Sequence, residues 1–456
     1  MRSRLARCST VVVLSLLALA VAWTPVQAQG SGQVRALVQV ADTGDQTLAH
    51  LSRYGSVDFV FPEIGFVAMN IKAKDARPGS ALRSDPLVLS VSRDHQVSVH
   101  THTGLLAWDQ DIIDVERVHP AGDVQYDGTG VYVAVLDTGL VPNWQDYFPA
   151  ARVASDLGRA FHSPVLGTPG SPSFTDTNSH GTHVTSTILG YSLYGLARFE
   201  GTAPGATVIP VKVLSNKGWG WDSSVIAGIL YVANLKKDGV LDGPVVINMS
   251  LGGSEGSPAE LAAIRYAIRQ GVLIVASAGN EGEAGMGYPG AFAEVISAGA
   301  AGWVREWVGG RTWWQQDVPD PTTAADVYVT DFSSRELPGQ ELDVLAPGSW
   351  VVGPYLAYGA AHPPYWANGV PGQYYFLGGT SMAAPHVTGT VALLLQKNPS
   401  LTQAQAEAVL RSTALYIPPG SATVATPYGT TETFTWSSDA TGYGLIDADA
   451  AVAATP

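Results

Sequence analysis

Two patterns of apolar and polar positions divide the chain. Residues 34–40 alternate as a half-buried strand does. Residues 47–53 have the spacing of a short helix, and 65–71 read as a second strand. Residues 80–82 look like the start of another helix, and 88–91 and 96–99 like further strands. Residues 29–103 thus predict a small α+β module. From residue 104 the pattern changes. Continuous apolar, β-branched runs at 131–136, 208–214, 245–249, 272–276 and 295–298 alternate with helical spacing at 225–236, 259–270, 381–397 and 402–413, with Thr402 placed to cap the last of these helices. Strands apolar on both faces, alternating with helices, predict an α/β domain: a mostly parallel central sheet covered on each side. In such sheets function gathers at the carboxyl ends of the strands. Asp137 and Asn280 each stand just past one.

The first 28 residues belong to neither pattern. Arg2, Arg4 and Arg7 precede an apolar run at 11–22, and small residues follow at Val26-Gln27-Ala28. This is the arrangement of a cleaved secretory signal. The run is too short to cross a bilayer, which takes roughly twenty apolar residues. Export is therefore expected, with no membrane association after signal removal. The single cysteine, Cys8, lies in this segment. The mature chain would have no disulfide, no thiol nucleophile and no cysteine metal site. Its formal charge is −14 with no run of Lys or Arg in the body, which argues against nucleic acid as a partner. At 456 residues, 46% of them apolar, the chain is long enough for one large domain with accessory segments.

Candidate chemistry comes from four short stretches. A hydroxyl nucleophile needs an adjacent base, the base needs a group to hold its tautomer, and the transition state needs donors aimed at its oxyanion. Asp137 ends an apolar strand in Val-Leu-Asp-Thr-Gly. His180 opens His-Gly-Thr-His-Val ahead of an apolar helical stretch. Ser381 lies in Gly-Gly-Thr-Ser-Met-Ala-Ala-Pro-His at the start of a long helix. Asn280 sits in Ala-Ser-Ala-Gly-Asn-Glu-Gly, where a fixed amide makes a good oxyanion donor. Taken singly, each has an ordinary structural explanation: a strand-end carboxylate, a packed histidine, a serine cap, an Asx turn. Their joint occurrence does not. His180 and His183 also have a spacing seen in zinc sites. No Glu lies between them, so His183, like His386, is expected to be a packed, hydrogen-bonded histidine.

With these motifs the region from about residue 104 to the C-terminus closely resembles the subtilisin family of serine peptidases. Gly442-Tyr443-Gly444-Leu445-Ile446-Asp447 and the Ala-rich stretch 448–453 resemble that family's last helix. The resemblance implies a three-layer fold and an Asp137–His180–Ser381 triad. It also implies an oxyanion site from Asn280 and the Ser381 N–H, and acyl transfer on protein or peptide substrates with no cofactor for catalysis. Substrate would lie as an extended strand between Gly218-Trp219-Gly220 and Ser250-Leu251-Gly252-Gly253. Ala278, Gly279 and Gly287 would line the pocket for the residue before the scissile bond. Gly287 puts no side chain on that floor, which points to large apolar residues there. Residues 29–103 resemble the family's inhibitory propeptide, through the stretches 81–88 and 94–97, with self-cleavage expected near 100–106. The expected organisation is signal 1–28, propeptide 29–103 and catalytic domain 104–456, working as a monomer.

The chain also departs from the family. Asp146 stands nine residues after Asp137, where relatives place a calcium ligand, but Ile188–Tyr194 replaces the accompanying Asn-rich loop. The metal ligands are unknown, and a calcium ion held elsewhere would be structural. Residues 302–330, with Trp303, Trp307, Trp313 and Trp314, look inserted. A surface flap packing its own tryptophans is expected in preference to a substrate rim or carbohydrate contact. A Gly-x-Ser-x-Gly stretch at 252–256 raises an esterase reading around Ser254, but no acid-then-His pair follows in a comparable setting. A non-catalytic scaffold is disfavoured because all four reactive residues are present. The Asn248-Met249-Ser250 sequon falls in a buried strand and is discounted.

Overall fold

The computed structural model describes residues 33–62, 64–93, 105–118, 126–161, 174–356 and 373–456. The signal stretch and the strand expected at 96–99 lie outside them. The chain forms two compact units, Met1–Val99 and His100–Pro456.

The first unit is a four-stranded antiparallel sheet in the order Gly55–Phe61, Phe66–Lys72, Gln33–Val40, Val88–Arg93, with the helix Asp45–Leu51. The alternation is visible in its core. Ala36, Val38 and Val40 point inward with Val67, Met69, Ile71, Leu51 and Leu82. The helix expected at 80–82 is instead a succession of turns. Pro78 and Pro86 bracket the stretch, and Gly79 takes a left-handed φ of 76°, so no continuous helix forms, although Leu82 is still buried.

The second unit is built on an eight-stranded sheet. Its main path runs Val327–Val329, Ile296–Trp303, Val272–Ser277, Val245–Met249, Tyr132–Asp137, Thr207–Lys212, Arg159–Ala160, and Val344–Pro347 pairs alongside Ile296–Trp303. Every pairing is parallel except that of Val327–Val329. Successive residues of each central strand serve opposite faces. Val133, Val135, Val246, Leu273 and Val275 join the core with residues of the helices His180–Leu189 and Thr380–Lys397. Ala134, Leu136, Val245, Ile247, Val272 and Ile274 join a second core with Asp222–Lys237 and Pro258–Arg269. This two-sided burial is the physical reason for the continuous apolar runs. Thr402 caps the helix Gln403–Thr413 in a reciprocal capping box with Gln405.

The insertion at 302–330 corrects an expectation. It is no surface flap, since Trp303, Trp313 and Trp314 are fully buried, although Trp313 does pack on Trp303 and Trp307 of the same insertion. Trp313 packs on Trp108 and Phe376, and Trp314 on Phe199. These rings extend the main core, which leaves them unavailable as a substrate rim.

Candidate active site

The strand Tyr132–Asp137 delivers Asp137 to the carboxyl edge of the sheet, fully buried. The His180 ring reaches it from the first residue of the helix His180–Leu189. Its Nδ1 lies 2.9 Å from both carboxylate oxygens. The Nδ1–H donates to a carboxylate, so Nε2 is the nitrogen left to exchange protons. Burial pushes the imidazole pKa down. The neighbouring Asp137 carboxylate outweighs this, and the His180 pKa sits above its ordinary value.

A second buried carboxylate, missed in the sequence, fixes this approach. Asp176 accepts from Thr138 Oγ1 at 2.7 Å, from Asn178 N at 2.7 Å and from Ser179 N at 2.6 Å, while Thr138 Oγ1 accepts from Gly181 N at 3.0 Å. These bonds tie the loop before His180 to the end of the Asp137 strand. Ser179 there adopts a left-handed φ of 76°. The only sequence signal was an Asp four residues before the histidine, in a stretch with no periodicity.

Ser381 is the second residue of the helix Thr380–Lys397. Its Oγ donates to Ser250 O at 3.2 Å, and Ser250 Oγ donates back to Ser381 O at 2.8 Å. No hydrogen bond joins Ser381 to His180 in this structure, yet both line one cleft of about 530 Å³. Asn280 lies beside the same helix start. Its Oδ1 accepts from Thr380 N at 2.9 Å and from Thr380 Oγ1 at 3.0 Å, and this assigns the amide orientation. The Nδ2 group is left to point elsewhere. A Cβ built on Gly379 would lie 3.6 Å from Asn280 Nδ2 and 3.7 Å from Ser381 N, so these two donors border one small space. The Ser381 N–H is in the first helical turn, where no intrahelical carbonyl is available to it.

The expected substrate segments meet here. Gly218, Trp219, Gly220, Ser250, Leu251, Gly252 and Gly253 all line the cleft with His180 and Ser381. A smaller adjoining pocket of about 260 Å³ is lined by Gly279, Asn280, Met286, Gly287, Thr380 and Ser381 among others. Ala278 departs from expectation: it is fully buried, and instead of lining the pocket its carbonyl anchors Gly287 N at 2.8 Å. Glu281 was not anticipated in this pocket. Its Oε2 accepts from Asn280 N at 2.7 Å and would stand 2.5 Å from a Cβ at position 279.

The remaining candidates fall outside the cleft. His183 Nε2 bonds Val351 O at 3.1 Å, and His386 bonds Met382 O at 2.8 Å and Asp109 at 3.0 Å; both rings are fully buried. Asn248 is fully buried with its amide bonded to Ser250 and Thr388, so the sequon is inaccessible. Ser254, though outside that cleft, is exposed in a loop ahead of the helix Pro258–Arg269 and lines the smaller pocket. Asp146 accepts from Asn143 at 2.9 Å. Among the described residues, one trio of carboxylates is close enough to share a cation, Asp114, Glu116 and Asp320. The Arg117 guanidinium already lies among them, 3.0 Å from Asp320 and 3.4 Å from Asp114.

Comparison with known proteins agrees with this geometry. The model of the Subtilase family matches residues 128–444. The chain is 30% identical to subtilisin E of Bacillus subtilis (strain 168) over 430 residues, covering 91% of this chain and 95% of that protein. It is 31% identical to alkaline elastase YaB of Bacillus sp. (strain YaB), over 85% of this chain and 80% of that one. Among solved structures, sphericase superposes with a TM-score of 0.53 at 27% identity, covering 76% of this chain and 99% of that chain. A carboxylate–imidazole pair and a helix-borne serine in one cleft, set in a parallel sheet that this family's members share, identify the chain as a member of the subtilase family of serine endopeptidases.

Proposed function

We propose that this endopeptidase is secreted, removes its own N-terminal segment, and cleaves proteins through an acyl-enzyme formed on Ser381. The observation that supports the reading is that His180, paired with Asp137, and Ser381 line one cleft, while Ser381 and Asn280 line the pocket adjoining it. In the first step the Ser381 Oγ attacks the peptide carbonyl carbon and passes its proton to His180 Nε2. Negative charge moves to the carbonyl oxygen, where Asn280 Nδ2 and Ser381 N–H receive it. Collapse breaks the C–N bond, and His180 returns the proton to the departing amine. Water then repeats the sequence on the ester and frees Ser381. Asp137 holds the ring and balances the imidazolium.

Secretion rests on the basic and apolar start of the chain and on the absence, among the described residues, of a helix long and apolar enough to cross a membrane. Self-processing rests on the first unit. The likeness to subtilisin E covers more of the chain than the second unit alone occupies, so it reaches into the small α+β unit. Residues 29–103 then act as an intramolecular inhibitor that folds with the enzyme and is cut near 100–106. The pocket bordered by Gly279 and Gly287 takes a large apolar side chain, with Met286 on its wall.

A serine-directed phosphonate tests the core of this reading. It should label Ser381 in the purified protein, and casein cleavage should disappear in Ser381→Ala but persist in Ser254→Ala. The Ser381→Ala protein should accumulate uncut. Persistent cleavage in that variant, or normal maturation of it in a protease-free preparation, would refute the assignment. A peptide library dominated by charged residues before the cut would reject the pocket preference alone.

A further inference from the structure

The cleft contains a feature that peptide hydrolysis does not require. Glu260, in the first turn of the helix Pro258–Arg269, is only 4% exposed, yet it lines the open cleft. Among the described residues it makes no hydrogen bond and no ion pair. Buried carboxylates ordinarily have such partners. Asp222, the first residue of the helix Asp222–Lys237, lines the same cleft and is close enough to act electrostatically on Glu260, and the exposed Glu255 lines the cleft too. The same cleft is lined by Trp219 and Trp221, 51% and 66% exposed, with ring centroids 6.0 Å apart at an interplanar angle of 88°. Exposed indoles next to acidic groups are unusual on a soluble surface unless they face a ligand, and their ring faces attract cations.

A plainer account treats Glu260 and Asp222 as acids favoured at helix N-termini by the dipole. It explains their place in the sequence. It does not explain why Glu260 is desolvated against an open cleft without a donor. Burial and the nearby Asp222 push its carboxyl up to about 7. The site is therefore poised near neutrality to gain a counter-charge.

We propose that this end of the cleft binds a cationic side chain, Lys or Arg, of the substrate segment upstream of the scissile bond, with Glu260 and Asp222 as counter-charges and Trp219 and Trp221 as its aromatic rim. The proposal rests on the endopeptidase reading above. The two pockets meet at Ser381 and share Leu251, Gly252 and Gly253. When the residue before the cut fills the Gly287 pocket, the chain upstream of it runs along that shared segment towards Glu260. An enzyme with this cleft favours substrates carrying a basic residue a few positions before an apolar one.

The test uses fluorogenic peptides with a fixed apolar residue before the cut and Lys, Arg, norleucine or Glu scanned through the upstream positions. At one position kcat/KM should favour Lys or Arg over norleucine by about tenfold or more, the scale of one charge-assisted contact, with Glu poorest. Glu260→Gln should reduce that Lys-to-norleucine ratio by about tenfold, and Asp222→Asn, at an exposed helix start, by a smaller factor. A flat or acidic upstream profile, or a ratio unmoved in both variants, overturns the proposal while leaving the endopeptidase intact. If Glu260→Gln does not fold, the wild-type profile and Asp222→Asn decide. Failure to cleave any peptide, with no phosphonate labelling, sinks the endopeptidase reading and this proposal with it.

Discussion

Replacing Asn280 separates two jobs done by one amide. Its Oδ1 accepts from Thr380 N and Oγ1, which tethers the turn after the strand Val272–Ser277 to the start of the nucleophile helix. Its Nδ2 is the donor we propose for the oxyanion. In Asn280→Ala both are lost. Loss of an oxyanion-hole amide in subtilisin costs about 100- to 1000-fold in kcat, or about 2.7–4 kcal/mol, and that scale carries over here. The stability cost is far smaller, under about 1 kcal/mol, because Asn280 is exposed and water can replace it at Thr380. Asn280→Asp makes the separation sharp. The carboxylate keeps an acceptor for Thr380 but has no donor, and it puts negative charge beside the developing oxyanion. Its kcat should lie below that of the alanine variant, while its melting temperature should match or exceed the alanine value. Steady-state kinetics on one peptide, with KM reported separately, and thermal unfolding in phosphonate-inactivated samples give both numbers. A kcat for Asn280→Ala within about tenfold of wild type would refute the oxyanion role, since even the lower bound is ten times larger.

Asp137 raises the His180 pKa, and the base must be neutral to act, so the acid limb of kcat/KM should lie above pH 6.5; Asp137→Asn should move that limb to lower pH and cut kcat by about 10⁴-fold, the scale known for a Ser–His–Asp triad. Trp313→Ala should cost about 3–5 kcal/mol in urea unfolding measured in a Ser381→Ala background, because the ring is fully buried; a change under about 1 kcal/mol would return the insertion to the surface. Burial raises the fully buried Glu306 carboxyl to about 8, against 4.5 ordinarily, so the folded state binds the extra proton between those values. Stability should fall by roughly 5 kcal/mol as pH rises through that window, and Glu306→Gln should flatten this slope in melting curves taken between pH 5 and 9.

What the sequence made legible were residues whose roles are written in local pattern. Asp137 could be placed because the six-residue apolar run at 131–136 reads as a buried strand, and the residue that ends such a strand lies at the sheet's carboxyl edge. Ser381 and His180 could be placed because each opens an apolar helix. The substrate segments followed from resemblance, and their residues line the cleft. Asp176 was not legible, because its work is done through backbone N–H groups in an aperiodic loop. Glu260 was not singled out in the sequence; only the folding of two distant helices against one cleft makes it a wall. Trp313 was misplaced for a related reason. Nothing in a tryptophan-rich insertion states whether its rings also reach the core, and here Phe376 and Trp108, far away in sequence, pack on Trp313 together with Trp303 and Trp307. The serine rotamer is likewise set by Ser250, more than a hundred residues before it.

Two buried carboxylates near one imidazole raise the question of which of them governs its charge. Asp176 has both oxygens committed: Oδ2 to Thr138 and Ser179, Oδ1 to Asn178, with the Lys212 ammonium 3.8 Å from Oδ1. Its charge is spread over fixed donors and offset by a cation, so its pull on His180 is the weaker one. Asp137 accepts a single backbone bond, from Thr138 N, and otherwise faces the ring with both oxygens. The fold thus divides the labour between the two. Asp176 spends its hydrogen bonds holding the loop that positions His180, and Asp137 keeps its charge for the imidazolium. Asp176→Asn should accordingly act by loosening geometry: kcat falls with little movement of the acid limb, whereas Asp137→Asn moves both. Equal displacement of the acid limb by the two variants would show that the charge is shared and the division is wrong.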